Sequence, residues 1–324
     1  MVDSIKKTSC VVFTIILTAL LVGYFGHLLD PDYTEGALSS IKAFHSIEDN
    51  SLEVLIYGSS HALKGCNTME MYSKYGIGAY NYGENWQKIN TTLLFIQDSL
   101  RTQNPKVVCI EMRLVGDVLE DANLEGQIYY TRAMSDFPGK REYLKQCFGS
   151  DIGRYISYYL PLTMFHEMWT EIDKENYSKI DKERWIKSMG YSGTDNCTPI
   201  SIGDYKIFPQ NELPEKSVET LDRIINICEE RGIKVILYLC PYEGSFEYSE
   251  ALKKYAFRNK CEYLDLFEKI KEVGIDGATD YQDKGHLNNK GALKVADYLG
   301  EFIISHYVVT DMRKVDGNIW EKYQ

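Results

Sequence analysis

The stretch LEVLIYGSSH, residues 52–61, decides the fold of this chain. Its first seven residues form an apolar, β-rich run that ends at Gly58, a pattern typical of a strand buried in a parallel sheet. A glycine and two serines follow at the carboxyl end of the run, where an α/β sheet presents reactive groups to solvent. The stretch therefore predicts a first strand that leads into a site with Ser60 as candidate nucleophile.

The alternation of strand, turn and helix continues along the chain. Amphipathic helices are predicted at 85–103, 217–232, 248–259 and 289–303. Four more runs read as strands: GIGAYNYG (76–83), PKVVCIEM (105–112), IKVILYLCP (233–241) and CEYLDLF (261–267). Because strands and helices alternate, we expect an α/β fold, a three-layer α/β/α sandwich around a mostly parallel five-stranded sheet.

One long segment interrupts this alternation. Residues 114–214 are aromatic, charged and mostly helical in pattern, and they have no strand pattern of their own. They are predicted to be an insertion within a domain that covers 52–306, with 307–324 as a C-terminal tail. Insertions on α/β scaffolds tend to lie above the carboxyl ends of the strands, where substrates bind.

The N-terminus predicts a membrane anchor. Residues 9–29, SCVVFTIILTALLVGYFGHLL, contain no Asp, Glu, Lys or Arg, and as a helix of about 21 residues they would span roughly 30 Å. Lys6 and Lys7 precede this run and acidic residues follow it, so 1–8 are expected in the cytoplasm, with 30–51 as a juxtamembrane linker. A cleaved signal peptide is the alternative. Either way, we expect a single-pass cell-membrane protein, or its cleaved form, with its main domain extracytoplasmic.

Composition excludes several classes of partner. The chain carries 36 basic against 47 acidic residues, a net charge of −11, and it has no basic cluster, so nucleic acid is not a predicted partner. Its eight cysteines form no C-x-x-C pair, and there is no P-loop or G-x-G-x-x-G motif. Neither a metal nor a cofactor is predicted.

A base and an acid for Ser60 are found near the end of the chain. A serine hydroxyl needs a histidine to take its proton and an acid to orient that histidine. His286 follows Asp283 in D-K-G-H, and the spacing of three allows one short loop to carry both groups. Such a motif alone is also typical of a polar turn before a helix. Together with G-S-S after the first strand, it predicts a Ser60, His286 and Asp283 site.

These motifs resemble the SGNH (GDSL-like) hydrolase superfamily, in which the nucleophile follows strand one and D-x-x-H precedes the last helix. The fold expected from the resemblance is flavodoxin-like. It implies that Ser60, Asp283 and His286 are catalytic. It also implies that Gly83 and the Ser60 N–H form the oxyanion hole, with Asn85 beside them as a substrate-binding candidate.

The third family block departs from the pattern. Where the family usually has G-x-N-D after strand three, this chain has CIEMR at 109–113, so the side-chain oxyanion donor is missing. Glu111 and Arg113 stand in that region and are predicted either to bind each other or to bind substrate.

G-S-S, the anchor and D-x-x-H-L-N resemble more closely the exported branch that includes the D-alanyl-lipoteichoic acid biosynthesis protein D and alginate O-acetylation proteins. This resemblance implies an acyltransferase or esterase that acts through an acyl-serine on a cell-surface polysaccharide, a glycan or teichoic acid. A membrane-bound O-acyltransferase is the implied partner. The alternative is a non-catalytic polymer-binding or scaffold protein that assists such an enzyme.

Several secondary candidates keep two interpretations. His61 either contacts substrate or packs against its loop, and His166 and Trp169 either line the cleft or pack inward from a helix. Asp265 and Asp280 are alternative acids, each less well placed in the sequence than the acid of D-K-G-H.

Overall fold

The computed structural model describes residues 2–29, 37–117, 128, 130–160, 162–165, 182–202 and 209–322. The chain divides into two compact units. One consists of residues 1–36 and 144–181, and the other consists of residues 37–143 and 182–324.

The described elements follow one another as helices interrupted by five strands. The strands are β1 (Val54–Tyr57), β2 (Ala79–Asn81), β3 (Val107–Glu111), β4 (Lys234–Leu239) and β5 (Glu262–Asp265). The helices are α1 (Val2–Leu29), α2 (Ala37–Phe44), α3 (Ser60–Leu63), α4 (Thr68–Tyr75), α5 (Ile89–Ser99), α6 (Pro138–Phe148), α7 (Ile152–Tyr159), α8 (Leu162–Phe165), α9 (Lys182–Lys187), α10 (Glu215–Glu230), α11 (Ser249–Asn259), α12 (Ile270–Val273) and α13 (Asn289–His306), followed by 3-10 turns at Met312–Lys314 and Ile319–Lys322.

Helix α1 of the first unit carries the candidate membrane span. Lys6–Gly26 has a mean hydropathy of 2.1 and is long and apolar enough to cross a bilayer. Large apolar side chains along it, including Phe13 and Leu20, are exposed. This bears out the prediction of one long apolar N-terminal helix, although a signal sequence has the same length and composition. Its orientation stays a prediction.

The second unit is built on a five-stranded, all-parallel sheet with the strand order β2-β1-β3-β4-β5, so the predicted fold class is confirmed. In this order the chain runs outward from β1 in one direction to β2, and then returns to β3 on the other side of β1. The crevice at the carboxyl ends of β1 and β3 is the topological switch point, where α/β folds place their ligands.

Helices cover both faces of the sheet. On one face, Ile56 and Cys109 belong to an apolar core with residues of α4 and α13, such as Met71 and Val295. On the other face, the Tyr57 hydroxyl hydrogen-bonds with Ser99 of α5. Because side chains alternate along a strand, one short apolar strand can serve both layers.

The segment between β2 and α5 is a loop, although the sequence predicted a helix from residue 85. The Tyr82 and Glu84 N–H groups donate to the carbonyls of Ile56 and Gly58, and Trp86 has a φ of +57°. These contacts hold the backbone out of helical geometry, so α5 begins only at Ile89.

Helix α2 lies within the range predicted as a juxtamembrane linker. Its last residue, Phe44, is buried and stacks on Tyr82 with 4.2 Å between ring centroids. Residues 37–44 therefore pack within the second unit, while the predicted domain boundaries stay predictions.

Candidate active site

The loop after β1 is shaped by Gly58. Its φ of +136° lies in a region that side chains rarely adopt, and a Cβ atom at this position would stand 2.7 Å from the Cβ of Glu111. Ser59 then caps α3, because its Oγ accepts from the His61 N–H at 3.3 Å. The turn leaves Ser60 as the first residue of α3, at the carboxyl edge of the sheet.

Ser60, His286 and Asp283 are hydrogen-bonded to one another in series. His286 Nε2 lies 2.7 Å from Ser60 Oγ, and His286 Nδ1 lies 2.9 and 3.0 Å from the two carboxylate oxygens of Asp283. Each imidazole nitrogen thus faces one partner. With Nδ1 donating to the carboxylate, Nε2 is the acceptor for the serine proton. The structure therefore brings together the three residues that the sequence predicted as the catalytic set.

The loop that carries Asp283 is closed by backbone contacts. Asp283 Oδ1 accepts from the N–H groups of Gly285 and His286 at 2.8 and 2.9 Å. At the base of the loop, the Gln282 N–H donates to the His286 carbonyl. Burial raises the pKa of Asp283, but the hydrogen bonds from His286 and Gly285 outweigh it and hold this pKa below its usual value. The carboxylate is therefore ionised at neutral pH and orients the imidazole.

Glu111 lies beneath the nucleophile loop. Its carboxylate is buried, accepts from Ser59 Oγ at 3.2 Å, and accepts from the Arg113 N–H at 3.1 Å. Burial raises the pKa of Glu111 to about 7, against the opposing effect of these bonds. Both oxygens are thus engaged by the protein, and the predicted Glu111–Arg113 contact is made by the arginine backbone. Its substrate-binding role stays a prediction.

Arg113 and His61 meet a residue that the sequence reasoning missed, Tyr242. The Arg113 guanidinium carbon lies 4.6 Å from the Tyr242 ring centroid, and that ring lies edge-on to His61 at 5.2 Å. His61 lies in turn 5.2 Å from the His286 ring. Tyr242 lies three residues beyond β4, as Arg113 lies two residues beyond β3, so its place at the carboxyl edge was the available signal.

Burial lowers the pKa of His61 well below its usual value, and the neighbouring His286 and Arg113 lower it further. His61 is therefore neutral at pH 7. A neutral imidazole beside the nucleophile can still donate one hydrogen bond and accept another.

Gly83 packs against the last two residues of α3, Ala62 and Leu63. Its N–H donates to Asn81 Oδ1 at 3.1 Å, and a Cβ atom there would stand 3.0 Å from the Leu63 nitrogen. Asn81, a second residue that the sequence reasoning missed, also donates to the carbonyls of Ala62 and Cys66 at 2.7 and 3.0 Å. Because its N–H is engaged, the oxyanion role of Gly83 stays a prediction.

Asn85 is exposed, and its carbonyl accepts from the Tyr130 hydroxyl. The substrate-binding role of Asn85 stays a prediction.

Comparisons with known proteins find little. No family model matches the chain, and no curated protein matches it. Among solved structures, the chain is similar to a protein of Bacteroides fragilis provisionally named an acylhydrolase. That protein is 12% identical in sequence, the match covers 80% of this chain and 90% of the other, and the TM-score is 0.38.

The alternative acids are bonded elsewhere. Asp265 accepts from the Ser249 hydroxyl and from the Phe267 N–H, and Asp280 pairs with Lys294 at 2.6 Å. Both carboxylates are buried in these contacts, which leaves Asp283 as the acid that meets His286.

Two predicted site residues, His166 and Trp169, lie outside the described residues. Within the described part of the chain, no group of three or more His, Cys, Asp or Glu side chains could hold a metal ion.

Proposed function

We propose that this protein is an SGNH-type serine acyltransferase or esterase, anchored in the cell membrane, that acts on an acylated cell-surface polysaccharide or teichoic acid outside the cytoplasm. One observation carries the proposal: His286 bridges Ser60 Oγ and the Asp283 carboxylate at hydrogen-bond distance. The SGNH-like motifs and the switch-point position of the site support the same assignment.

The chemistry follows from this arrangement. Ser60 Oγ attacks the carbonyl carbon of an ester while His286 Nε2 takes the serine proton. When the ester bond breaks, His286 returns that proton to the leaving alcohol and the acyl group stays on Ser60. A hydroxyl of the acceptor, or water, then attacks the acyl-serine and gives its proton to His286, which restores the Ser60 hydroxyl.

The negative charge that develops on the carbonyl oxygen during this attack needs hydrogen-bond donors. The Ser60 N–H lies in the first turn of α3, where a backbone amide has no partner within the helix. The Gly83 N–H is the proposed second donor, and its present acceptor, Asn81 Oδ1, would have to yield it to the oxyanion. Because the Gly83 N–H would first have to leave Asn81, and because the third family block has no asparagine to donate in its place, we expect slow catalysis.

The anchor fits a role beside a membrane enzyme. Helix α1 is long and apolar enough to hold the chain at a bilayer. A membrane-bound O-acyltransferase is the proposed partner that supplies the acyl group, and the polymer hydroxyl is the proposed acceptor.

The test is Ser60→Ala in the full chain. We expect loss of hydrolysis of a small acetyl ester and loss of labelling by a serine-directed fluorophosphonate, because Ser60 Oγ is the atom that both reagents modify. Ser73→Ala, at an exposed serine of α4, is the matched control and should keep both signals. Labelling that persists in Ser60→Ala would contradict the proposal.

A second candidate is a polymer-binding scaffold without catalysis. It is favoured by the Gly83 N–H, which is bonded to Asn81, and by Glu111, which stands where the family places its asparagine region. Under this alternative, Ser60→Ala binds polymer and complements a deletion strain as well as the wild type. Loss of complementation with unchanged polymer binding favours the enzyme.

A further inference from the structure

Arg113 presents a guanidinium group beside the candidate active site. The side chain is half-buried, and its contact is with the face of Tyr242 at 4.6 Å. No carboxylate in the described part of the chain forms a salt bridge with it, although the sequence holds 47 acidic residues. The carboxyl group of Glu111 is close by, but its two oxygens accept from the Ser59 hydroxyl and from the Arg113 backbone N–H.

The fold fixes where this guanidinium lies. Arg113 is two residues beyond β3 and Tyr242 is three residues beyond β4, so both stand at the carboxyl edge of neighbouring parallel strands. Tyr242 is buried and its hydroxyl donates to the Ser245 carbonyl, which holds the ring in place. Its ring also contacts Phe267 and His61, and His61 is the residue that follows the candidate nucleophile.

The chemistry of a guanidinium group selects its ligand. Five N–H donors in a planar fork match a carboxylate or a phosphate, and a charge partly removed from water is costly while it stays unpaired. Stacking on a tyrosine leaves the edge of the fork, where those donors lie, open to such an anion. The neutral His61 between Arg113 and His286 adds no positive charge that would draw the anion onto the catalytic histidine.

We infer that Arg113 binds a carboxylate or phosphate group of the substrate next to the ester that Ser60 attacks, so that the polymer is an acylated polyanion. This inference rests on the proposed function and deepens it. Tyr242 is the platform that orients the guanidinium, and the ring contacts from Tyr242 through His61 to His286 connect this anion site with the candidate catalytic residues.

The experiment compares matched esters that differ in one charge. One pair is methyl acetylglucuronoside against methyl acetylglucoside, and the other is acetylglycerol phosphate against acetylglycerol. For the wild type, we expect kcat/KM to be about ten- to hundredfold higher for the anionic member of at least one pair, as charge-assisted hydrogen bonds imply. The pair with the larger ratio identifies a uronate or a phosphate as the source of the anion.

Arg113→Met should bring that ratio to about one, because methionine keeps the packing on Tyr242 and removes the charge. The matched control is Arg258→Met, which removes an exposed arginine whose guanidinium lies over the Tyr255 ring. Arg258 is near the end of α11, just before β5 begins, and so lies toward the amino ends of the strands, away from the candidate site. This control should keep the wild-type ratio. A wild-type ratio near one for both pairs, or an equal fall in Arg258→Met, would overturn the inference.

Failure of the proposed function is separable from failure of this inference. If the wild type hydrolyses none of the four esters, the proposed reaction is contradicted, and calorimetric binding of the same esters to Ser60→Ala decides the anion site. Binding of an anionic ester at least about tenfold tighter than its neutral partner, lost in Ser60→Ala with Arg113→Met, supports the site. Equal affinities for both members of each pair overturn it.

Discussion

Ser59 Oγ donates a hydrogen bond to Glu111 Oε2 at 3.2 Å, which ties the turn before the candidate nucleophile to the end of β3. The same Ser59 oxygen accepts from the His61 N–H and so begins α3. One side chain therefore connects the neighbouring strand to the helix on which Ser60 stands, and we expect Glu111 to act as a positioning residue for Ser60.

Loss of this link should slow catalysis more than it weakens binding. Ser59→Ala removes the cap of α3 and leaves the buried Glu111 carboxyl one donor short, at a cost of about 1–3 kcal/mol in the free energy of unfolding. We expect kcat to fall by about tenfold with KM nearly unchanged, as for a loss of positioning. Steady-state kinetics and urea unfolding measure the two effects. An unchanged kcat would show that the link does not position Ser60.

Asp283 should be required for rate. Asp283→Asn replaces the carboxylate by an uncharged amide, whose NH2 group can face His286 Nδ1 and favour the wrong tautomer, and we expect kcat to fall by about 10²–10⁴-fold. The control Asp316→Asn changes an exposed aspartate near the C-terminus and should keep the wild-type rate. Hydrolysis of a small acetyl ester measures both variants. Equal rates for Asp283→Asn and Asp316→Asn would remove Asp283 from the catalytic set.

Gly58 should tolerate no side chain. Gly58→Ala places a Cβ atom 2.7 Å from Glu111 Cβ on a backbone with a φ of +136°, so we expect a loss of about 3 kcal/mol or more in unfolding free energy. Gly317→Ala is the matched control, because Gly317 also has a positive φ, +72°, but open space around it. It should cost about 1 kcal/mol. Similar losses in both variants would mean that crowding at Glu111 contributes nothing.

Stability should depend on pH through Glu111. Burial raises the pKa of its carboxyl to about 7 in the folded protein, against 4.5 for an ordinary glutamate. Between these values the folded chain holds a proton that the unfolded chain has lost, so the free energy of unfolding falls as pH rises from 4.5 to 7.

Glu111→Gln removes this titration and should flatten that part of the stability curve, measured by urea unfolding at several pH values. Glu84 is buried too, with its pKa raised to about 8, so Glu84→Gln should flatten a window that extends to pH 8. A curve for Glu111→Gln parallel to the wild type would place the Glu111 pKa at its ordinary value.

Helix α1 should decide where the protein resides. The full chain is expected to stay with membranes after carbonate extraction, because large apolar side chains along Lys6–Gly26 are exposed. A chain that begins at residue 30 should be released while keeping fluorophosphonate labelling of Ser60. Extraction of the full chain by carbonate would contradict the anchor, and detection of a shortened N-terminus by mass spectrometry would identify a signal peptide instead.

Local pattern was sufficient for much of this protein. Apolar runs such as Val54–Tyr57 predicted five strands, because burial on both faces demands such runs. The D-K-G-H spacing also predicted the Asp283–His286 pair, since three residues lie within the reach of one loop. One helix start was predicted too early: α5 begins at Ile89 because long-range contacts of Tyr82 and Glu84 with β1 override helical preference.

The sequence by itself determined the fold class, the apolar N-terminal helix and the identities of Ser60, His286 and Asp283 as candidates, because short-range pattern and spacing encode them. Only the tertiary structure decided that the side chains of Ser60 and His286, 226 positions apart, are within hydrogen-bond distance. The same is true of the contact between the Arg113 guanidinium and the Tyr242 ring. The tertiary structure also decided that the Glu111 carboxylate accepts from Ser59 and that the Gly83 N–H donates to Asn81. These relationships depend on strand order and register, which bring distant carboxyl ends together and leave no trace in local periodicity.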